Sequence, residues 1–358
     1  MPAKRSLTLA LALLLVAAIP ARAAAFPAIT VLDTNSGTAG SNPYTFAAFS
    51  GYLYYGAANS AVGYELWRTD GTTLGTTLVK DINANGTDGS NPYGFTALGD
   101  YLYFNANDGV NGTELWRTDG TELGTTRVSN INTSAGAGSS PERFTALSGY
   151  LYFRADDGTN GTELWRTDGT TLGTTLVKDI NANGTDGSNP DYFTVLSGYL
   201  YFQANDGTNG YELWRTDGTM LGTTLVEDIN TSAGGSSYPW NFTALGDYLY
   251  FTATDDETGY DLWRVDGSGL TESSSIPGTN SGIGCECNPQ LNALNGRLFM
   301  AAYSDETGSE LAYLDEPTFG LPETNRDGSV WSTALVLLAA ITAVAGVGLR
   351  LRKGSLAK

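Results

Sequence analysis

The sequence predicts an all-β protein: a six-bladed β-propeller of four-stranded blades, closed by an N-terminal strand and followed by a C-terminal transmembrane helix. Three observations carry this reading. The octet Glu114-Leu115-Trp116-Arg117-Thr118-Asp119-Gly120-Thr121 repeats, its tryptophan returning at Trp67, Trp116, Trp165, Trp214 and Trp263, 49 residues apart each time. Self-similarity at a period of roughly 20–50 residues marks a propeller, solenoid or array. Each repeat also joins two apolar runs through a two-residue link with glycine, such as Gly99-Asp100 or Ser148-Gly149. Such links favour hairpins, because primed turns need positive φ. Finally, runs such as Tyr101-Leu102-Tyr103-Phe104 do not alternate with polar residues, as strands covered on both faces do not.

In chain order, residues 1–23 read as a signal peptide. Lys4 and Arg5 form a charged start, Leu7 to Ile19 an apolar stretch, and Ala21-Arg22-Ala23 a small-residue cleavage site. The propeller is expected over 24–316. In the copy from Pro92 to Pro141 the strands are Phe95–Leu98, Tyr101–Phe104, Thr113–Thr118 and Thr126–Ile131. The sixth copy is decayed, with Ala312 at the tryptophan position. It has strands over Leu291–Leu294, Leu298–Ala302 and Glu310–Leu314, and Asp315-Glu316-Pro317 leaves no room for a fourth. Ile29-Thr30-Val31-Leu32-Asp33 matches the fourth-strand segment Leu78 to Ile82, so it is expected to supply the missing strand.

A linker over 317–329 leads to an uncharged apolar run, 330–349, long enough to cross a bilayer, and to a basic tail over 350–358 with Arg350, Arg352 and Lys353. Positive residues stay inside, which places the bulk of the chain outside the cell. Within the linker, Leu321, Pro322, Glu323, Thr324 and Asn325 resemble the LPxTG signal cut by sortases, with Asn325 in place of the glycine. The resemblance implies a sortase-like transpeptidase as a partner and attachment at the membrane or cell wall.

Between residues 24 and 325 there remain 11 basic and 37 acidic side chains, a net charge near −26. Such a field repels nucleic acid and anionic lipid and favours cations. The chain contains no histidine, which removes Ser-His-Asp and Cys-His machinery and imidazole-bound metals. Carboxylate-only hydrolysis stays open.

Residues 29–316 resemble the ELWxxDGT repeats of secreted and surface-attached bacterial proteins. The fifth copy substitutes Asp261 and Val265, and the sixth loses the tryptophan. That resemblance brings no activity or catalytic residue with it.

The tryptophans read as parts of blade construction, with the octet arginine pairing a carboxylate across the blade interface; the functional alternative is one sugar-stacking site per blade. The loops after the second strands carry Asp108 and Asn111, Asp157 and Asn160, Asp206 and Asn209, and Asp255. Oxygen donors spaced around a glycine turn make calcium the candidate ligand. Cys285 and Cys287 stand in the irregular link before the sixth copy and can pair in an oxidising compartment. The functional expectation is an exported, surface-anchored, non-enzymatic binding or adhesion module whose ligand is a surface protein or glycan. The alternatives are a multivalent lectin and a carboxylate-dependent glycoside hydrolase.

The tail gives a first test. Thr324→Ala should leave the tail attached and the protein in the membrane fraction, whereas wild type should lose residues 325–358. Intact tail peptides at full abundance in wild-type cells would reduce the segment to a plain membrane anchor.

Overall fold

The computed structural model describes residues 30–35, 39–255, 259–267, 271–274, 291–304 and 308–315. Its contacts divide the chain at Leu32, and the architecture below belongs to the second unit, Asp33–Lys358. The signal segment, the LPETN motif, the 330–349 run and both cysteines lie outside the described residues, within which no helix is long and apolar enough to cross a membrane.

The described elements are all strands, grouped into repeated antiparallel sheets of propeller type. The first sheet is β1 (Tyr44–Phe49), β2 (Tyr52–Asn59), β3 (Gly63–Thr69) and β4 (Thr77–Lys80). The second is β5 (Tyr93–Leu98), β6 (Tyr101–Asn107), β7 (Thr113–Thr118) and β8 (Thr126–Arg127). The third is β9 (Glu142–Leu147), β10 (Tyr150–Asp156), β11 (Thr162–Thr167) and β12 (Thr175–Lys178). The fourth is β13 (Asp191–Leu196), β14 (Tyr199–Asn205), β15 (Tyr211–Thr216) and β16 (Thr224–Glu227). The fifth is β17 (Trp240–Leu245), β18 (Tyr248–Thr254), β19 (Tyr260–Asp266) and β20 (Thr271–Ser274). The sixth has three strands, β21 (Asn292–Leu294), β22 (Arg297–Ser304) and β23 (Gly308–Asp315). First strands of successive sheets pack side by side, in chain order from β1 to β21.

The hairpin links take the expected primed conformations. Ser50-Gly51 and Ser148-Gly149 both have positive φ at each residue, as a type I′ turn requires, while Gly99-Asp100 has it only at the glycine. The non-alternating second strands are buried on both faces: Leu102, Tyr103 and Phe104 are at most 2% exposed. They meet neighbouring sheets in separate clusters. One joins Tyr54, Leu66 and Val79 of the first sheet to Leu102, Phe104 and Trp116 of the second.

Closure differs from expectation. Thr30 to Asp33 form no strand, Val31 is 80% exposed, and the sixth sheet keeps three strands among the described residues. Among the described residues of the expected N-terminal closing strand, 30–33, no strand forms. The loop before Gly40 is one residue shorter than its counterpart before Gly89, and it replaces apolar Ile82 with Thr34.

A second constraint was not foreseen. The octet glutamate is fully buried in four sheets and holds the link that leads into the next one. Glu114 accepts from the backbone N–H of Ile131 (3.1 Å), Asn132 (3.2 Å) and Ser139 (3.1 Å), and from Ser139 Oγ (2.6 Å). Glu65 and Glu163 take the same four donors from their own links. Glu212 takes three, from Ile229 N, Ser237 N and Ser237 Oγ. Burial raises all four carboxyls, and Glu212, with one donor fewer and Asp228 nearby, reaches about 7.

This generates a pH dependence. Glu212 binds its proton more tightly folded than unfolded, so its contribution is fully present below the ordinary glutamate value near 4.5 and is lost as pH rises through 7. Over that window the melting midpoint should fall, by the equivalent of about 3 kcal/mol at most. Glu212→Gln should flatten the slope. An identical slope in the variant would mean that other groups set the dependence.

Candidate functional site

The repeated residues turn out to be structural. Trp67, Trp116 and Trp214 are at most 9% exposed, and Trp165 and Trp263 pack against the core between sheets. A sugar-stacking platform needs an open ring face, which the buried Trp67, Trp116 and Trp214 do not offer. The octet arginines lie over tyrosine rings of their own sheets, Arg68 on Tyr52 at 4.3 Å and Arg117 on Tyr101 at 4.1 Å. This corrects the expectation that a carboxylate is their main partner, although Arg117 does help to lower the Asp168 carboxyl of the next sheet. The Asp-Gly turn explains its glycine: at Gly120 φ is +96°, and a Cβ there would collide with Tyr54 Oη from the preceding sheet. Asp119 accepts from Thr121 N (2.8 Å) and Thr121 Oγ1 (2.7 Å), bonds that hold its exposed carboxyl below the usual range.

The Asp–Asn loops are closed on themselves. Asp157 Oδ1 accepts from Thr159 N and Asn160 N, both at 2.8 Å, and Oδ2 from Asn160 Nδ2 at 2.8 Å. Asp206 with Asn209 and Asp108 with Asn111 repeat this pattern. In the second sheet Arg127 Nη1 adds an ion pair to Asp108 at 3.2 Å. Burial pushes the Asp108 carboxyl up, but the donors from Asn111 and Val110 and the Arg127 charge outweigh it, and the net shift is downward. Asp255 is described and has a partner, but most of its loop is not described. No three carboxylate or thiol groups gather into a metal-binding set among the described residues.

The structure draws attention instead to what varies between the repeats. The first strands of sheets one to five are entered through Pro-x-x-Phe, where the proline and phenylalanine stay and the pair between them changes. The pairs are Tyr44-Thr45, Tyr93-Gly94, Glu142-Arg143, Asp191-Tyr192 and Trp240-Asn241. Pairing with the second strand is irregular at this point in all five sheets. The second residue of each pair has φ between 52° and 75°, including Thr45, Arg143 and Tyr192. Bulky side chains rarely hold that conformation, and such strain and bulging gather at functional sites. The cross-strand partners of the first residues vary too: Gly56, Asn105, Arg154, Gln203 and Thr252.

In sheets three to five these ends form one site. Arg143 Nε pairs with Asp191 Oδ1 at 2.9 Å. Arg154 meets Glu142 Oε2 at 2.6 Å and Asp191 Oδ2 at 3.5 Å. Tyr192 lies edge-on to Phe242, with ring centroids 6.3 Å apart. A cavity of about 350 Å³ opens among Arg143, Asp191, Tyr192, Phe193, Asn241 and Phe242. Arg143 and Arg154 are two of only six basic residues between 24 and 325 that do not belong to the octet, and both are here. This site was missed from sequence because attention went to the constant octet. The signal was present in the changing pair between a fixed proline and a fixed phenylalanine.

No family model and no curated protein matches the chain. Among solved structures it is similar to a puromycin hydrolase, at 13% identity over 78% of this chain and 52% of that one, with a TM-score of 0.38. A prolyl oligopeptidase B from Galerina marginata is 13% identical over 77% of this chain and 43% of that one, with a TM-score of 0.43. A putative TolB from Agrobacterium tumefaciens is 13% identical over 62% of this chain and 76% of that one, with a TM-score of 0.33. The chain thus spans about half the length of the peptidases. At this distance the likeness concerns fold alone. The expectation of a binding or adhesion module, with its lectin and glycosidase alternatives, is not upheld: the solved structures to which the chain is similar are a puromycin hydrolase, a prolyl oligopeptidase and a putative TolB. The buried tryptophans and self-satisfied carboxylates agree with that correction.

For the acidic loops, the hydrogen bonding predicts that calcium and sodium at matched ionic strength shift the melting midpoint alike. An excess shift in calcium that disappears in Asp157→Asn/Asp206→Asn would return these loops to metal binding.

Proposed function

We propose that this protein is a propeller of the peptidase kind, which receives a short peptide at the bulged inner ends of sheets three to five and presents it for cleavage. One observation carries the reading: residues that differ between repeats, Arg143, Asp191, Tyr192 and Asn241, converge on a cavity whose remaining wall is the repeated phenylalanines and threonines of the same strands. The chemistry there suits a peptide. Arg143 and Asp191 can trade their mutual ion pair for a ligand carboxylate and amine, Thr145, Thr194 and Asn241 can serve main-chain polar groups, and Tyr192, Phe193 and Phe242 can hold an apolar side chain.

With no histidine in the sequence, a serine–histidine nucleophile would come from another domain or chain. We further propose that six sheets make up the propeller, that the repeats belong with the ELWxxDGT type, and that the chain is exported and held by its C-terminal segment. A sortase-like partner belongs to the proposal at the same level.

The test is a binding screen of the full chain against a library of peptides of about two to six residues. Arg143→Ala and Tyr192→Ala should each weaken the best binder by roughly 10- to 100-fold, while Asp108→Asn should leave it unchanged. No peptide binding, or affinity indifferent to both site substitutions, would remove the proposal.

A further inference from the structure

The two end sheets of the row expose faces that every internal sheet buries, and the two faces are the halves of one repeated interface. On the forward side, Leu66, Leu115, Leu164, Leu213 and Leu262 are at most 5% exposed, whereas their equivalent in the sixth sheet, Leu311, is 76% exposed. On the backward side, Leu102, Leu151, Leu200, Leu249 and Leu298 are at most 1% exposed, whereas Leu53 of the first sheet is 38% exposed. Internally these two positions meet, as Leu66 and Leu102 do in one cluster.

The glutamate clamp shows the same open pair. Glu310 stands at the octet glutamate position of the sixth sheet and is exposed, while Glu65, Glu114, Glu163 and Glu212 are fully buried. The link those glutamates would hold has a counterpart at the other end, residues 34–41, where Thr34, Asn35 and Ser41 correspond to Ile82, Asn83 and Ser90. Ser41 already lies against the first sheet as its counterparts in the internal links lie against theirs. Ser41 O accepts from Ala58 N at 2.7 Å, as Ser90 O accepts from Asn107 N at 2.9 Å and Ser139 O from Asp156 N at 3.0 Å. Thr34 and Asn35 are buried, and Thr34 Oγ1 has no hydrogen-bond partner among the described residues.

We propose that the sixth sheet docks on the first sheet of the same chain. Glu310 then takes the N–H groups of Thr34 and Ser41, together with the Ser41 hydroxyl, as the next clamp in the series, while Asn35 N keeps its bond to Asp33 Oδ1 at 3.0 Å, and Leu311 packs against Leu53. The seam needs no exchanged strand. It continues an interface the chain already makes five times, and Thr34 in place of isoleucine gives Glu310 a further hydroxyl donor. The occupant is this chain, because the two end faces are the halves of the interface that joins its own successive sheets, as in the cluster of Leu66 with Leu102; a second copy is the outcome that the crosslink below would reveal.

The test uses the full chain with Cys285→Ser and Cys287→Ser, adding Leu53→Cys and Leu311→Cys at positions exposed in the structure. A short bis-maleimide should give crosslinked monomer, seen as one fast-migrating band whose tryptic digest joins the two cysteines. Crosslinked dimer, or no crosslink, would overturn the proposal. In parallel, Glu310→Gln and Ser41→Ala should each lower the melting midpoint by a few degrees, and the double variant by no more than the larger single shift. Fully additive shifts, or no shift from either change, would show that the two residues do not meet.

Discussion

A buried carboxylate organises this chain. Glu114 has no contact with solvent, and removing such a charge from water is costly unless donors replace the lost hydration. Four donors do so here, all from one link: two at its start, Ile131 N and Asn132 N, and two near its end, Ser139 N and Ser139 Oγ. The link has no regular structure of its own, so it is the glutamate that determines where it runs. Because Pro141 and the varying pair follow directly, the clamp also sets where the next sheet begins and where its bulged residues point. Glu212 shows how close the balance is. With three donors in place of four, burial prevails far enough to bring its carboxyl to about 7.

Around that clamp the molecule divides its labour by sequence position. Constant residues make sheet-to-sheet contacts: tryptophan and leucine fill the clusters, arginine covers a tyrosine ring, and the turn glycine admits the preceding sheet's hydroxyl. None of them can face a ligand without giving up a contact that supports the next sheet. The varying pairs carry no such duty. They sit where strand pairing is already irregular, so Tyr-Gly in one sheet and Glu-Arg in the next both fit the same backbone. A repeat that must stack identically can therefore differ at one end of its first strand, and in sheets three to five those differences supply two charges, an amide and the Tyr192 ring to one cavity.

Much of the fold was legible in the sequence. The third strand, Thr113–Thr118, lies where the tryptophan pattern puts it, and Ser50-Gly51 makes its primed turn, whose positive φ at both residues matches strand twist. What could not be read was the partner of each polar residue. Arginine near both a tyrosine and an aspartate could have taken either, and only the packing shows that Tyr101 lies beneath Arg117. The glutamate was visible as a constant letter, but its donors are 17 to 25 residues further on in an irregular link. The Asp–Asn loops misled for a related reason. Oxygen-rich turns look alike whether they surround an ion or donate to their own carboxylates, and in Asp157 to Asn160 the local N–H groups take that place. The candidate site was hidden because a varying pair carries no pattern until the structure shows five such pairs at equivalent bulges.

Native-state hydrogen exchange tests the role of the clamp most directly. Ser90, Ser139 and Ser188 belong to no strand, yet their amides donate to buried glutamates. They should exchange as slowly as amides in the second strands, releasing only when whole sheets unfold. Exchange of those serine amides at the rate of exposed turn amides such as that of Leu123, while the strands stay protected, would mean that the links are held by something other than the glutamates.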